Sequence, residues 1–564
     1  MERGMQMNFL KEIKNIAAVI ISVCFCMFCA INWNMAERDI LFVIIVFVAS
    51  MVLICKGLGT KDKRIVLLSS VFSAVFSFFA VNSGAKYANA ATYIVLFAAF
   101  WVMSAGAMTM LENTADIKLR RQNKKIWAGI FAAMVLLWMP AFMACGPIAI
   151  TQDSTTVIKE ALGLIDISDA NPVLYTFLVR MVFKPFYDLG ISLIVPAYIF
   201  GFLQLLTVAA VLSYLVYFIY SKGCNMYGVA AAFAYFTVTP VFVLNSITMW
   251  KDITYNAVLL LLMIQLWEMA QTKGRIFENR VFVAKLAVTS LLACFLRGNG
   301  FLVVAAVTVA GVVAFSGYRK RIAVIMLPLL IAVKIITGPV YAAMGIGNLG
   351  AIESMAMPIQ QVAAAVCADT PLTDEQTQIL ESYMEIEKWK EHYVPASVDH
   401  IKFSGDFERE GFDEKKGDLI KVWLQLAPDN FKTYVRAWLE ETKGYWSMSF
   451  HSRAVMGGGY FEVLPQIVNK DLILKFTGIK ANDWFYSQIQ YMPLGIPVFI
   501  TIFAMFIMIC RKKYQYIVNL VPILATWIGL MAGAPTYADG RYILVVMYAL
   551  PLVIFEMFYL GKNG

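Results

Sequence analysis

Residues 126–144 read IWAGIFAAMVLLWMPAFMA, with Lys124 and Lys125 directly before them and no further charge until Asp153. An α-helix needs about 20 mostly apolar residues to cross a bilayer, so this stretch reads as a membrane span that ends in a polar loop. Thirteen more runs of this kind surround it, at about 13–31, 40–56, 65–81, 91–110, 191–219, 227–249, 253–271, 281–297, 300–316, 321–340, 492–510, 515–534 and 541–560. Fourteen spans define an all-α polytopic membrane protein. The composition agrees: 60% of the 564 residues are apolar and 15% are charged, against a usual ~45–50% and ~25%. A cytosolic enzyme, a nucleic-acid-binding protein and a disordered scaffold are excluded, because so much apolar surface would not stay in water. The first span follows Lys11 and Lys14 and lacks a small-x-small cleavage site, so it reads as an uncleaved anchor.

Basic residues set the orientation. Lys56, Lys61, Lys63 and Arg64 follow the second span; Lys118, Arg120, Arg121, Lys124 and Lys125 follow the fourth. Lys273, Arg275 and Arg280 follow the eighth, Arg319, Lys320 and Arg321 the tenth, and Arg511, Lys512 and Lys513 the twelfth. All fall on one side if both termini are cytoplasmic. The spans at 281–297 and 300–316 are joined only by Arg297-Gly298-Asn299-Gly300, as a tight hairpin or one interrupted element.

Two segments stay outside the bilayer in this scheme. Residues 145–190 carry two amphipathic stretches, about 154–165 and 172–187, with Pro172 at a helix start. Residues 341–490 have the size of an ordinary domain and read as mainly helical. Thr373-Asp374-Glu375 is a helix-start signal, and Pro428-Asp429 restarts a helix within Lys415–Lys443. The chain thus divides into a four-span addition (1–115), a seven-span module with its outer loop (116–340), the outer domain (341–490) and a three-span end (491–564). Residues 369–443 hold 17 acidic and 10 basic residues, a local charge of −7, so the overall +9 sums a +16 membrane body and an acidic outer domain.

Charges inside a membrane are costly and functional when they persist. Here they gather at the outer ends of spans: Asp153 and Glu160 in the outer loop after the fifth span, Lys251-Asp252, Arg297 with Asn299, and Asp539 with Arg541. Carboxylates beside Lys and Arg at that depth suit a phosphate-bearing lipid head group and a proton transfer. Each residue also has a plainer reading. Asp153, in Thr151-Gln152-Asp153-Ser154, is either a helix N-cap or a general base for an acceptor hydroxyl. Lys251-Asp252 is either an interfacial anchor or a phosphate site, and Arg297 and Arg541 either snorkel to head groups or line it. Trp33, Trp138, Trp250 and Tyr537 read as an interfacial aromatic belt. Trp446 and His451, in an aromatic and polar run with Phe450, Arg453, Tyr460 and Phe461, form either a sugar-stacking surface or packing. No Walker A, His-Glu-x-x-His or Gly-x-Ser-x-Gly sequence is present. All three His (His392, His400 and His451) lie in the outer domain. Carboxylates can bind Mg or Mn, but no ligand spacing demands a divalent ion.

The stretches Gln152-Asp153-Ser154 and Asp169-Ala170-Asn171-Pro172-Val173-Leu174-Tyr175-Thr176, between two spans, resemble the GT-C superfamily of membrane glycosyltransferases. Within it the chain looks closest to the bacterial DUF6020-type polytopic surface-polysaccharide proteins. Met249-Trp250-Lys251-Asp252-Ile253, Arg297-Gly298-Asn299-Gly300, Glu353 to Gln361 (ESMAMPIQQ) and Asp539-Gly540-Arg541-Tyr542 add to the likeness, which covers about 125–560. The resemblance implies a seven-span module whose first outer loop carries two juxtamembrane helices and the catalytic Asp, here Asp153. It places acceptor or sugar contacts at Gln152, Asp169, Asn171 and Tyr175, with Asn171 standing where the family pattern has His. It implies inverting transfer from a polyprenyl-phosphate sugar to a glycan or lipid-linked acceptor on the outer face of a bacterial plasma membrane. Lys251, Asp252, Arg297, Asn299 and Arg541 would serve the departing lipid phosphate. A polysaccharide polymerase or ligase, which joins whole lipid-linked oligosaccharides, is the second expectation. A flippase or transporter is the third, and should carry mid-bilayer ionisable or helix-breaking residues in paired halves.

Overall fold

The computed structural model describes residues 14–23, 25–26, 40–83, 88–112, 119–120, 122–347, 350, 352–448, 467, 470–487, 494–533 and 539–560. Within them every regular element is helical. The first part runs α1 (Ile40–Gly57), α2 (Lys63–Asn82), α3 (Ala90–Glu112) and α4 (Lys124–Cys145). Two short helices, α5 (Gln152–Leu162) and α6 (Val173–Asp188), precede α7 (Ile194–Ser221), α8 (Met226–Val238), α9 (Pro240–Ser246) and α10 (Lys251–Gln271). Then come α11 (Arg280–Leu296), α12 (Gly300–Ala314) and α13 (Arg319–Ile335). Residues 352–448 contain α14 (Ala356–Cys367), α15 (Asp374–Glu381), α16 (Ile386–His392), α17 (Phe412–Leu426) and α18 (Phe431–Thr442). The chain finishes with α19 (Gly495–Cys510), α20 (Ile517–Ala532) and α21 (Leu544–Tyr559).

Eight of the described helices are long and apolar enough to cross a membrane, or nine with the bent pair α8–α9 taken as one span. The run at 227–249, expected as one span, is broken by 56° between α8 and α9. Pro240 is the cause: it starts α9, and Thr239 before it is extended (φ −80°, ψ 111°), as the ring of a following proline requires. The expected spans at 281–297, 300–316 and 492–510 form helices of 17, 15 and 16 residues. Only Lys14–Val23 of the first span's helix is long enough to register as a short apolar helix among the described residues.

Lipid tails are as apolar as Leu, so helices in a membrane are held by close packing more than by burial. Small residues permit it. A Cβ on Gly57 would lie 1.9 Å from the Val102 carbonyl, and one on Gly106 would lie 1.9 Å from that of Leu53. These two glycines let α1 and α3 touch along their backbones. The group α1–α3 then docks through α2 on α19, with Phe72 against Phe503 (5.1 Å) and Phe76 edge-on to Phe499 (4.9 Å). At the α11–α12 junction Arg297 is extended (φ −160°). A Cβ on Gly300 would sit 1.9 Å from the Ala293 carbonyl, so the element is a tight turn between two packed helices. At the centre lies α10, with 78% of its apolar window buried, the most enclosed of the candidate spans.

The segment 352–448 has its own core around Ile359, Val362, Leu380, Trp389, Ile401, Leu419 and Val422. Thr373 caps α15 in a reciprocal capping box with Gln376, as the helix-start signal predicts. Tyr445 and Trp446 belong instead to the core of the membrane body.

Candidate functional site

The short helices α5 and α6 are placed by backbone pairing that the apolar pattern does not encode. After α4 the chain runs extended, and Ala149 forms a parallel bridge with Thr248: the Ala149 amide donates to Ile247 (2.8 Å) and the Met249 amide donates to Ala149 (2.9 Å). The start of α5 is thereby held against the start of α10. A second bridge joins Ser168 to Gly347, with the Asp169 amide donating to the Gly347 carbonyl (2.8 Å). The buried Glu160 carboxylate fastens the loop from within, accepting from Ser168 Oγ (3.0 Å), the Ser168 amide (3.2 Å) and Thr176 Oγ1 (3.2 Å). Burial pushes the Glu160 carboxyl above its ordinary value despite these bonds.

The cap of α5 is Thr151, paired in a capping box with Ser154, and the buried Trp250 indole donates to Thr151 Oγ1 at 2.9 Å. The N-cap reading of Asp153 is therefore superseded. Asp153 sits in the first helical turn with its side chain 43% exposed, and Arg541 Nη1 donates to its Oδ2 at 2.9 Å. Burial raises the Asp153 carboxyl, but the charges of Arg541, Lys251 and Arg297 outweigh it and hold the group below its ordinary value.

Arg541 is the hub. Its Nε meets Asp539 Oδ2 at 2.8 Å, and its Nη2 donates to the Tyr542 hydroxyl at 2.9 Å. Its guanidinium lies over the Trp250 ring at 4.7 Å and the Tyr542 ring at 4.8 Å. Its backbone carbonyl accepts from Asn256 Nδ2 (2.8 Å), and Asn256 Oδ1 accepts from the Val545 amide (2.8 Å). One buried Asn on the central helix thus fixes the turn that presents the arginine. Lys251 Nζ donates to Asn171 Oδ1 (2.8 Å) and to the Ala170 carbonyl (3.5 Å). Arg297 forms an ion pair with the fully buried Asp252, and its guanidinium covers the Tyr542 ring at 4.3 Å.

The residues singled out from sequence therefore divide. Asp153, Asn171, Lys251, Asp252, Arg297 and Arg541 converge at one end of the bundle. Asp252 is the counter-charge of Arg297 and not itself a phosphate contact, since a buried carboxylate would repel an anion. Gln152, Asp169 and Asn299 are exposed at its margin. Tyr175 is 2% exposed and packs edge-on to Phe200 at 6.1 Å, which makes it part of the core. Of the two readings of Trp446, packing holds and the stacking surface does not: the residue is 1% exposed, donates to Thr442 Oγ1 (3.0 Å) and packs on Phe79 at 5.0 Å. His451 lies outside the described residues. The belt reading also fails for Trp138 and Trp250, both 1% exposed; the Trp138 indole donates to the Phe236 carbonyl (3.1 Å). Trp33 and Tyr537 lie outside the described residues.

Sequence reasoning missed Trp250 as a support, Tyr542 and Asn256. Asn256 carried a readable signal: it is a polar residue four positions after Asp252 in an otherwise apolar run, and so on the same helix face. Among the described residues no group of three His, Cys, Asp or Glu side chains is placed to hold a metal ion.

Among known proteins, the profile of a family described as "Family of unknown function (DUF6020)" matches residues 165–563. No curated protein and no solved structure matches the chain.

Proposed function

We propose that the chain, which belongs to the DUF6020 family of unknown function, is a GT-C type membrane glycosyltransferase, a reading that joins the sequence resemblance to the chemistry of the site. It takes a sugar from a polyprenyl-phosphate donor and passes it, with inversion, to a surface glycan or lipid-linked acceptor at the outer face of a bacterial membrane. One observation carries the reading: Asp153, a half-exposed carboxylate, stands beside Arg541 and within the field of Lys251. Inverting transfer from a lipid phosphate needs those two functions side by side. The acceptor hydroxyl oxygen attacks the anomeric carbon while Asp153 takes its proton. The bond from that carbon to the phosphate oxygen breaks, and the phosphate leaves with the electron pair, stabilised by Arg541 and Lys251. Asn171 positions Lys251, and Asp252 and Tyr542 position Arg297.

The fourteen-span layout with both termini inside, and a seven-span module over residues 116–340, belong to the same proposal. The inner-loop basic clusters and the helical pair α5–α6 in the first outer loop support it.

Asp153→Asn is expected to lower transfer from a polyprenyl-phosphate monosaccharide in isolated membranes by at least about 100-fold, the usual contribution of a general base. Insertion and yield should be unchanged. Undiminished transfer would remove Asp153 from the role of base. Turnover only with a lipid-linked oligosaccharide would make the protein a polymerase.

A further inference from the structure

The base and the leaving-group site are occupied by each other. Arg541 already touches two carboxylates, Asp153 at 2.9 Å and Asp539 at 2.8 Å. Arg297 is committed to Asp252. The cluster's three cations (Lys251, Arg297, Arg541) are matched by three aspartates (Asp153, Asp252, Asp539), so an arriving phosphate finds no surplus positive charge. It can gain attraction only where a carboxylate withdraws.

The three aspartates differ in their freedom to do so. The Asp252 side chain is 0% exposed and that of Asp539 is 15% exposed, whereas that of Asp153 is 43% exposed. Withdrawing a buried carboxylate from its paired cation leaves two uncompensated charges out of water; turning a half-exposed one into water does not. Lys251 has only neutral direct partners, Asn171 Oδ1 and the Ala170 carbonyl, and so is the second cation open to an anion. Asp153 lies in the fields of both open cations.

We infer that the donor's lipid phosphate and the Asp153 carboxylate compete for Arg541 and Lys251, so that donor binding itself releases the base toward the acceptor. This rests on the glycosyltransferase reading for the identity of the phosphate, and deepens it by fixing an order of events. Before the donor binds, Asp153 is held as the partner of Arg541. With the phosphodiester on Arg541 and Lys251, the carboxylate is free and more basic, because its stabilising cation is engaged elsewhere. After transfer Asp153 carries the acceptor's proton and cannot return to Arg541. Loss of that proton to water restores the carboxylate, which then competes with the product lipid phosphate and promotes its release.

The test is binding by the full-length protein in phosphatidylcholine nanodiscs, using a short-chain polyprenyl monophosphate without sugar. Asp153→Asn and Asp153→Ala, which remove the competitor, are both expected to bind the lipid about tenfold more tightly than the unaltered chain, within the usual range for coupled sites. Arg541→Gln should abolish most of the binding. Tightening in both Asp153 variants, a direction that a merely structural aspartate would not produce, supports the competition. Equal or weaker binding in them overturns it. The parent reading is scored separately, by sugar transfer in the unaltered chain. Tightening without transfer from any lipid-phosphate sugar would leave the competition standing and overturn the enzyme class. Transfer without tightening would do the reverse.

Discussion

The Asp252–Arg297 pair lies where a charge can least afford to be alone. Asp252 is fully buried on the central helix, and its one cation arrives from the turn after α11. Removing one partner of such a pair typically costs about 3–5 kcal/mol, whereas replacing both by apolar groups is close to neutral. Arg297→Leu alone should therefore lower the melting temperature in detergent strongly, and the double variant Asp252→Leu with Arg297→Leu should recover most of the loss. A double variant no more stable than the single one would show that Arg297 is held chiefly by its stacking on Tyr542. The charges of this cluster were legible in the sequence as a group, since all stand at span ends. Their pairing was not legible: whether Arg541 meets Asp153 or Asp252 depends on which helices pack together.

At the scale of elements, α5 shows how a hydroxyl can set a carboxylate. Thr151 caps the helix and accepts the Trp250 indole proton, so one side chain aligns α5 with the entry to α10. Thr151→Val removes the cap, worth about 1 kcal/mol, and leaves the indole N–H unsatisfied, worth roughly 1–3 kcal/mol more. Transfer activity and thermal stability should both fall, and Thr151→Ser, which keeps the hydroxyl, should restore both. Loss of stability with full activity would show that the placement of Asp153 does not depend on the cap. Helices α5 and α6 themselves were readable from amphipathic spacing and Pro172. The break between α8 and α9 was signalled by Pro240, but apolar content on both sides outweighed that signal. The bridge at Thr248 carried none, because its pairing partner Ala149 lies about a hundred residues earlier in the chain.

At the scale of the whole molecule, the two largest cores among the described residues were legible by different signals. Apolar content marked the membrane body plainly, and helix-start chemistry marked the segment around residues 352–442. Trp446 fell to the membrane body because an aromatic residue after an amphipathic helix serves either side, and only the docking of α2 decides it. On α18, Glu441 is 1% exposed, accepts the Val398 amide (3.2 Å) and is pushed by burial from an ordinary 4.5 up to about 8. The folded form therefore holds a proton that the unfolded chain releases near pH 4.5. Stability from this group is full below that pH, declines as pH rises to about 8, and is constant beyond. Glu441→Gln, which keeps the acceptor and cannot ionise, should flatten melting temperature against pH across this window relative to the unaltered chain. Unchanged slopes would mean that Glu441 is ionised when folded.

The contact between Asp153 and Arg541 joins positions 388 residues apart. A ribosome adds about 5–20 residues per second, so some 20–80 s separate the emergence of one partner from the other. Throughout that interval α5 can form and the loop after it can fasten through Glu160, yet the carboxylate has no arginine to meet. The site is thus a late product of synthesis: it exists only in chains that have grown past Arg541.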